Sequence, residues 1–515
     1  MKRIALPIVI LFLLVASMFA QPEGTAGYNF RGIGMAGCGA TIDGEGNVLD
    51  IFDISGEENP AASHFNEGYG LPAERIDKIG GADKFSFGVA FGTLEYPGPT
   101  VKDEDHSWYW IDGVGRILVE KGFSESFSTR FQFRGGYDTM RKTFGYGEYI
   151  HEYSASTPDW DNIIYRVNTV GAAEILPLGE VYFTYHSLFG LSVGAGGGYC
   201  FSEFEDRYSN TSGNVTGYRA KFGGRFAVPD FEDFGAIGLN YNIGGGTVAN
   251  EENQDYDMFN SNDSRLGLQA EFGLPNYVRG AVGYDIIGYD EDFYVSANDD
   301  SADSDRDDVS RVAFGLKVFG KEIGAPLTLG IKTGSYSTVG QEEEGDFEPK
   351  LKSSNMGAGL SAEPLQGWTI ATEYKTGKAV FEPDDGEEYE VDNSGIAAAM
   401  ELFVVPEFGI RVGFETINYE PDSAYRAEYQ GFDYLGGEGD AVLPYYSYST
   451  MFRFGAVPLQ TKGNALSWGL AFRLDDQRLQ LDISGRHVLA SEPQVYNDET
   501  GNRHEGYIGL TYYLK

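Results

Sequence analysis

Apolar and polar positions alternate with a period of two along most of this chain. Phe85, Phe87, Val89 and Phe91 are separated by Ser86, Gly88 and Ala90. Phe127, Thr129, Phe131 and Phe133 are separated by Ser128, Arg130, Gln132 and Arg134, so one face is greasy and the other carries two arginines. The pattern recurs toward the C-terminus. Tyr218, Ala220, Phe222 and Phe226 oppose Arg219, Lys221 and Arg225; Leu266, Leu268 and Phe272 oppose Gln269 and Glu271; Trp368, Ile370 and Tyr374 oppose Glu373 and Lys375; and Leu466, Trp468, Leu470 and Phe472 oppose Ser467 and Arg473. Two-faced strands in such number need two different solvents.

A soluble β-sandwich also alternates, so the connections arbitrate. Short turns carry Pro or Gly, as in Leu274-Pro275-Asn276, Gly324-Ala325-Pro326, Glu363-Pro364-Leu365 and Val405-Pro406-Glu407. Between them lie long acidic stretches, read as loops over Asp290 to Asp308, Gln341 to Glu348, Glu382 to Asp392 and Tyr419 to Pro444. Short turns alternating with long loops are the mark of an outer-membrane barrel, whose turns face the periplasm and whose loops face outward. The expected fold is all-β: a transmembrane antiparallel β-barrel of about eighteen strands, within a range of roughly fourteen to twenty. Tyr446 to Ala456 reads as an extra strand pair rising from an outer loop, and Ile508, Leu510, Tyr512 and Leu514 read as the closing strand.

The N-terminus agrees with export. Lys2 and Arg3 precede an apolar run from Ile4 to Val15, followed by Ala16, Ser17 and Ala20, which makes residues 1–20 a signal peptide. No later stretch reaches the ~20 apolar residues of a spanning helix. Residues 83–515 are then the barrel, and residues 21–82 stand apart from it. This segment is neither helix-periodic nor strand-alternating. Small residues crowd Arg31 to Ala40, and Asn59-Pro60 is a turn signal. Such a backbone suits tight folding inside something larger.

Lys plus Arg total 38 and Asp plus Glu 78, a net charge of 38 minus 78, or -40, which excludes nucleic acid as a partner. Cys38 and Cys200 are the two cysteines, too few for a disulfide framework. A bond between them is permitted in the periplasm, though two buried thiols are the commoner outcome.

The glycine-rich Gly32 to Ala40, a spacer, and Asn59-Pro60-Ala61-Ala62 just before the first strand resemble the N-terminus of the long-chain fatty-acid transporter family of outer-membrane barrels. The wider superfamily includes outer-membrane barrels of the type IX secretion system. Ser467 to Gly485 and Gly506 to Leu514 are similar to that family's closing strands. The resemblance implies a hatch inside the lumen over residues 21–82, with Gly34, Met35, Gly37, Asn59, Pro60 and Ala61 as its motif. It also implies that hydrophobic ligands leave through a lateral opening in the wall.

Lumen-facing charges expected from parity include Arg130, Arg134, Arg219, Arg225, Glu271, Arg411 and Arg473. They are expected to pair across the lumen and brace the hatch against the wall, because charges in low-dielectric surroundings need partners. The predicted lumen is mostly polar and shows no apolar pocket. Asp303, Asp305 and Asp307 have calcium-like spacing but lack the glycine and glutamate that complete an EF-hand; they form a weak candidate for a bridging cation, and no metal or other cofactor is expected. The six histidines are scattered, and no serine or carboxylate stands at a spacing that suggests a nucleophilic dyad, so no enzyme is expected. The expected function is passive uptake of small hydrophobic compounds such as long-chain fatty acids across the bacterial outer membrane. The alternative is a barrel that serves secretion, assembly or surface attachment without small-molecule transport. Expected partners are outer-membrane lipid, lipopolysaccharide and hydrophobic small molecules.

Overall fold

The structure is a computed structural model. It describes residues 31, 34–38, 40–41, 59–62, 83–97, 107–124, 126–138, 143–145, 151–154, 164–167, 179–187, 189–205, 212–227, 235–250, 257–274, 277–294, 301–320, 324–339, 350–382, 389–421, 463–475, 478–490 and 503–513. The signal peptide, the acidic spacer from 42 to 58 and the strand expected from Tyr446 to Ala456 lie outside these residues.

One sheet of nineteen strands dominates the fold. One of the nineteen, Thr143–Gly145, is only three residues long, and the other eighteen are the staves of a barrel. All neighbouring staves run antiparallel, and the first, Lys84–Pro97, pairs with the last, Arg503–Tyr513, from Lys84↔Tyr513 to Leu94↔Arg503. That seam leaves the sheet without an edge, so every ladder position of these two staves can find a backbone partner.

Burial follows the alternation of the sequence. In Gly463–Leu474, Ala465, Ser467, Ala471 and Arg473 are buried, while Leu466, Trp468 and Leu474 point out and are exposed. Along Tyr389–Val405 the outward positions are Val404, Leu402, Met400, Ala398 and Ile396, after which Ser394 and Asp392 take over. On the opposite side, Phe272, Leu268 and Leu266 give way to Ser264 and Asn262. Five outward positions span about 26 Å along the strand and, on a stave tilted about 40°, rise about 20 Å, most of the height of an outer-membrane apolar band. Many staves continue past that edge, up to the nineteen residues of Ser301–Phe319, so the wall extends beyond the bilayer on the loop side.

Tight turns close the other end. Gln366 and Gly367 join Lys350–Leu365 to Trp368–Glu382, and Gly367 has φ +77°, a conformation that costs an L side chain. Aromatic pairs brace this rim, with Phe127 stacked on Phe183 at 6.2 Å and Phe408 tilted against Phe472 at 5.2 Å.

The acidic loop expected between Asp290 and Asp308 is mostly wall. Val278–Tyr294 and Ser301–Phe319 are staves, with Asp292 opposite Asp303 and Asp290 opposite Asp305. The β-strand signal was hidden because Asp and Asn are poor strand formers on average, yet they are tolerated above the membrane, where both faces are wet. The side chains of Asp303, Asp305 and Asp307 lie outside the described ones. The stretch Glu382 to Asp392 is likewise shorter as a loop, since staves reach Glu382 and begin again at Tyr389.

The band makes a depth-dependent prediction. Leu239→Arg, at mid-band on Gly235–Asn250, should destabilise the barrel in lipid vesicles by about 2–4 kcal/mol, whereas Ser264→Arg at the edge should cost about 0–1 kcal/mol, read from urea unfolding.

Candidate functional site

The described part of the N-terminal segment meets the wall at two places. The first is a single helical turn. The Met35 N–H donates to the Arg31 carbonyl at 3.0 Å, and the turn ends where Ala36 (φ 52°) and Gly37 (φ 66°) take left-handed conformations. An alanine held there is strained by about 1–2 kcal/mol, and close packing of the wall maintains it. Gly413 faces it, and a Cβ on Gly413 would lie 2.7 Å from the Ala36 Cβ. Gly330 makes the same allowance for Ala40, whose carbonyl oxygen would be 1.8 Å from an added Cβ. Wall glycines are therefore hollows for a second backbone.

Charge fixes this turn in place. Arg31 Nε donates to both carboxylate oxygens of Glu401 at 3.1 Å. Glu401 also accepts from Arg411 Nε at 2.6 Å, Arg411 donates to Asp482, and Arg473 donates to Asp482 at 3.1 Å. A second group stands beside the first: Lys375 bonds Glu415 at 2.7 Å and the Ala36 carbonyl at 3.1 Å, and Arg486 donates to the other oxygen of Glu415 at 2.7 Å. The Ala40 N–H donates to Glu373 at 2.7 Å. Between the charges sits a small apolar cluster of Met35, Ala36 and Cys38 against Ala371, Ala397 and Ala399. The polar lumen expected from sequence thus contains an apolar spot. It was missed because inward alanines read as small rather than greasy.

The second contact lies across the lumen. Pro60–Ala62 is a 3-10 turn capped by its own Asn59, whose Oδ1 accepts from the Ala61 N–H at 3.0 Å. Asn59 Nδ2 donates to Gln269 Oε1 at 3.2 Å, Gln269 donates to Asn240 Oδ1 at 2.8 Å, and Thr184 Oγ1 donates to the Pro60 carbonyl at 2.7 Å. Gly194, Gly223 and Gly238, on three successive staves, form the hollow; a Cβ on Gly223 would fall 2.0 Å from Asn59 Oδ1. Asn59 and Ala61 have no exposed surface.

Other inward charges gather above this turn. Lys221 pairs with Glu180 at 3.5 Å and lies 5.6 Å from the Tyr182 ring, while Arg130 pairs with Glu120 at 3.4 Å and Arg265 with Asp285 at 3.0 Å. Arg219 and Arg225 are buried on the same side. The side chains of Arg134 and Glu271 lie outside the described ones, as does that of Cys200. Cys38 packs on Trp368–Glu382 and Tyr389–Val405, staves remote from the Leu191–Glu205 that carries Cys200.

A closed ladder that keeps its charges inside and its aliphatic and aromatic side chains outside has only one compatible surrounding, a bilayer crossed by strands. The chain is a bacterial outer-membrane β-barrel.

The barrel matches no family model and no curated protein. Among solved structures it is similar to a TodX deltaS2S3 mutant monoaromatic hydrocarbon channel, with 10% identity and a TM-score of 0.36 over 95% of this chain and 99% of that one. It is also similar to the siderophore receptor PirA from Pseudomonas aeruginosa, with 8% identity and a TM-score of 0.40 over 84% and 80% of the two chains. A Pseudomonas aeruginosa FadL homologue gives 8% identity and a TM-score of 0.34 over 97% and 100%. The assignment rests on the strands and their register, not on these likenesses.

Gly179–His186 is the shortest described stave, and Gly179 pairs with Phe133 on one side and Tyr199 on the other; residues 168–178, which lead into it, lie outside the described ones. Further toward the loops Thr143–Gly145 pairs as Gly136↔Gly145 and Phe144↔Glu203, and His151–Ser154 and Ile164–Val167 pair as a sheet of their own. Phe131, Phe133, Phe183 and Tyr199 expose rings to the lipid side.

Long-range pairing also makes clusters that spacing could not reveal. His186 lies buried between Ser128 and Ser192, with both hydroxyls 3.1 Å from its ring nitrogens. His487 and His504 stand opposite each other on the last two staves.

Two substitutions separate the two contacts. Gly223→Val should expel the Asn59–Ala62 turn and open the N-terminal segment to added protease while leaving the unfolding midpoint of the barrel nearly unchanged, because valine suits a strand. Arg411→Met should lower stability in urea by about 3–5 kcal/mol, because it strands Glu401 and Asp482 in a buried setting.

Proposed function

We propose that this barrel is a plugged channel for passive uptake of small hydrophobic compounds, such as long-chain fatty acids, across the outer membrane. In this reading residues 21–82 form a hatch inside the lumen, and solutes leave sideways through the wall into the bilayer. The apolar cluster of Met35, Ala36 and Cys38 against Ala371, Ala397 and Ala399 carries the proposal: it gives a hydrophobic solute a non-polar contact within an otherwise charged lumen.

A second reading, a sealed barrel for secretion, assembly or surface attachment, is favoured by the ion-pair chain that ties Arg31 to the wall through Glu401. Uptake of labelled oleate and of labelled toluene by cells with and without the protein discriminates the two. Uptake raised several-fold by the protein supports transport; equal uptake of both compounds sinks it for those solutes.

A further inference from the structure

Three rings gather on the lipid-facing side of the last three staves, at the outer edge of the apolar band. His487 on Leu479–Ala490 and His504 on Arg503–Tyr513 are direct partners in the antiparallel ladder. Their Nδ1 atoms are 3.0 Å apart, and their ring centroids are 5.1 Å apart with the planes tilted by 57°. Trp468, on Gly463–Leu474, lies over Gly485 and donates its Nε1–H to His487 Nε2 at 3.1 Å.

The hydrogens in this array follow from chemistry. An indole nitrogen only donates, so His487 Nε2 is an acceptor and the ring hydrogen of His487 sits on Nδ1. That hydrogen points at His504 Nδ1, which accepts it, and the remaining hydrogen of His504 is on Nε2. Two nitrogens thus converge on the place held by one hydrogen.

We propose that His487 and His504 form a two-imidazole site for a divalent transition-metal ion, with Zn²⁺, Ni²⁺ and Cu²⁺ as the chemical class. Neutral imidazole is a preferred ligand of these ions. Zn–N bonds of about 2.0–2.1 Å in a tetrahedral shell set the two nitrogens about 3.3 Å apart, a few tenths of an ångström wider than in the ligand-free pair. Among the described residues no third His, Cys, Asp or Glu joins them. The net charge of -40 concentrates cations around the chain.

Binding conserves protons. The hydrogen on His487 Nδ1 moves to Nε2 by exchange with water, and the freed Nδ1 lone pair goes to the metal beside that of His504. His487 Nε2–H then faces the Trp468 N–H, donor against donor, and the indole hydrogen bond breaks. Trp468 is thus a positioning residue that holds the empty pair in its hydrogen-bonded form and opposes the metal. Bound metal staples the last two staves together.

The test titrates the full-length folded protein in detergent with ZnCl₂ and with NiCl₂ after treatment with chelator, reading heat by calorimetry and tryptophan emission. Wild type should bind one equivalent with a change in emission, and His487→Asn and His504→Asn should each lose that equivalent while keeping heat-modifiable migration. Trp468→Phe should bind about tenfold more tightly, the scale at which outer partners tune metal sites. Absence of binding by wild type up to millimolar metal, or binding unchanged in both histidine variants, overturns the site. Weaker binding by Trp468→Phe overturns the role given to the indole.

Discussion

A charge that faces the inside of this barrel and is shut off from water must be met by another charge, and most of the internal arrangement follows from that requirement. Arg411 has no exposed surface, and it lies between Glu401 and Asp482, each of which needs a second cation. Arg473 supplies one and Arg31 the other. Arg31 belongs to the N-terminal segment, so neutralising the wall recruits a residue from outside the wall. Buried ion pairs contribute little net stability compared with apolar packing of the same size, but breaking one is costly. The chain of pairs therefore acts chiefly to fix position, and it specifies where the segment sits more strongly than it adds to the strength of the barrel.

The glycines work together with the charges. Gly194, Gly223 and Gly238 remove side chains from three neighbouring staves at one level, and the Asn59–Ala62 turn supplies the missing bulk. A wall built this way is complete only when its insert is present.

Strands and their facing were legible because lipid outside and polar groups inside impose a period of two that few other folds sustain for so long. Leu466 to Phe472 against Ser467 and Arg473 reads the same in sequence and in space. The loops were less legible. Asp290 and Asp305 pair in a ladder although their composition signals a loop, because above the membrane the wall no longer needs an apolar side. Partners distant in sequence were not legible at all. Arg31 and Glu401 are 370 residues apart, and Ser128 meets His186 across 58, distances over which no local pattern carries information.

The seam between Lys84–Pro97 and Arg503–Tyr513 carries a kinetic consequence. Its two halves are separated by nearly the whole barrel, so the first stave cannot acquire its second neighbour until the last has been delivered. The residues that meet the wall at Glu401 and Gly223 precede the first stave, and in the finished molecule they lie within the ring. Their seats on the wall belong to staves delivered well after them, so the amino-terminal residues can dock only once most of the ring has been made.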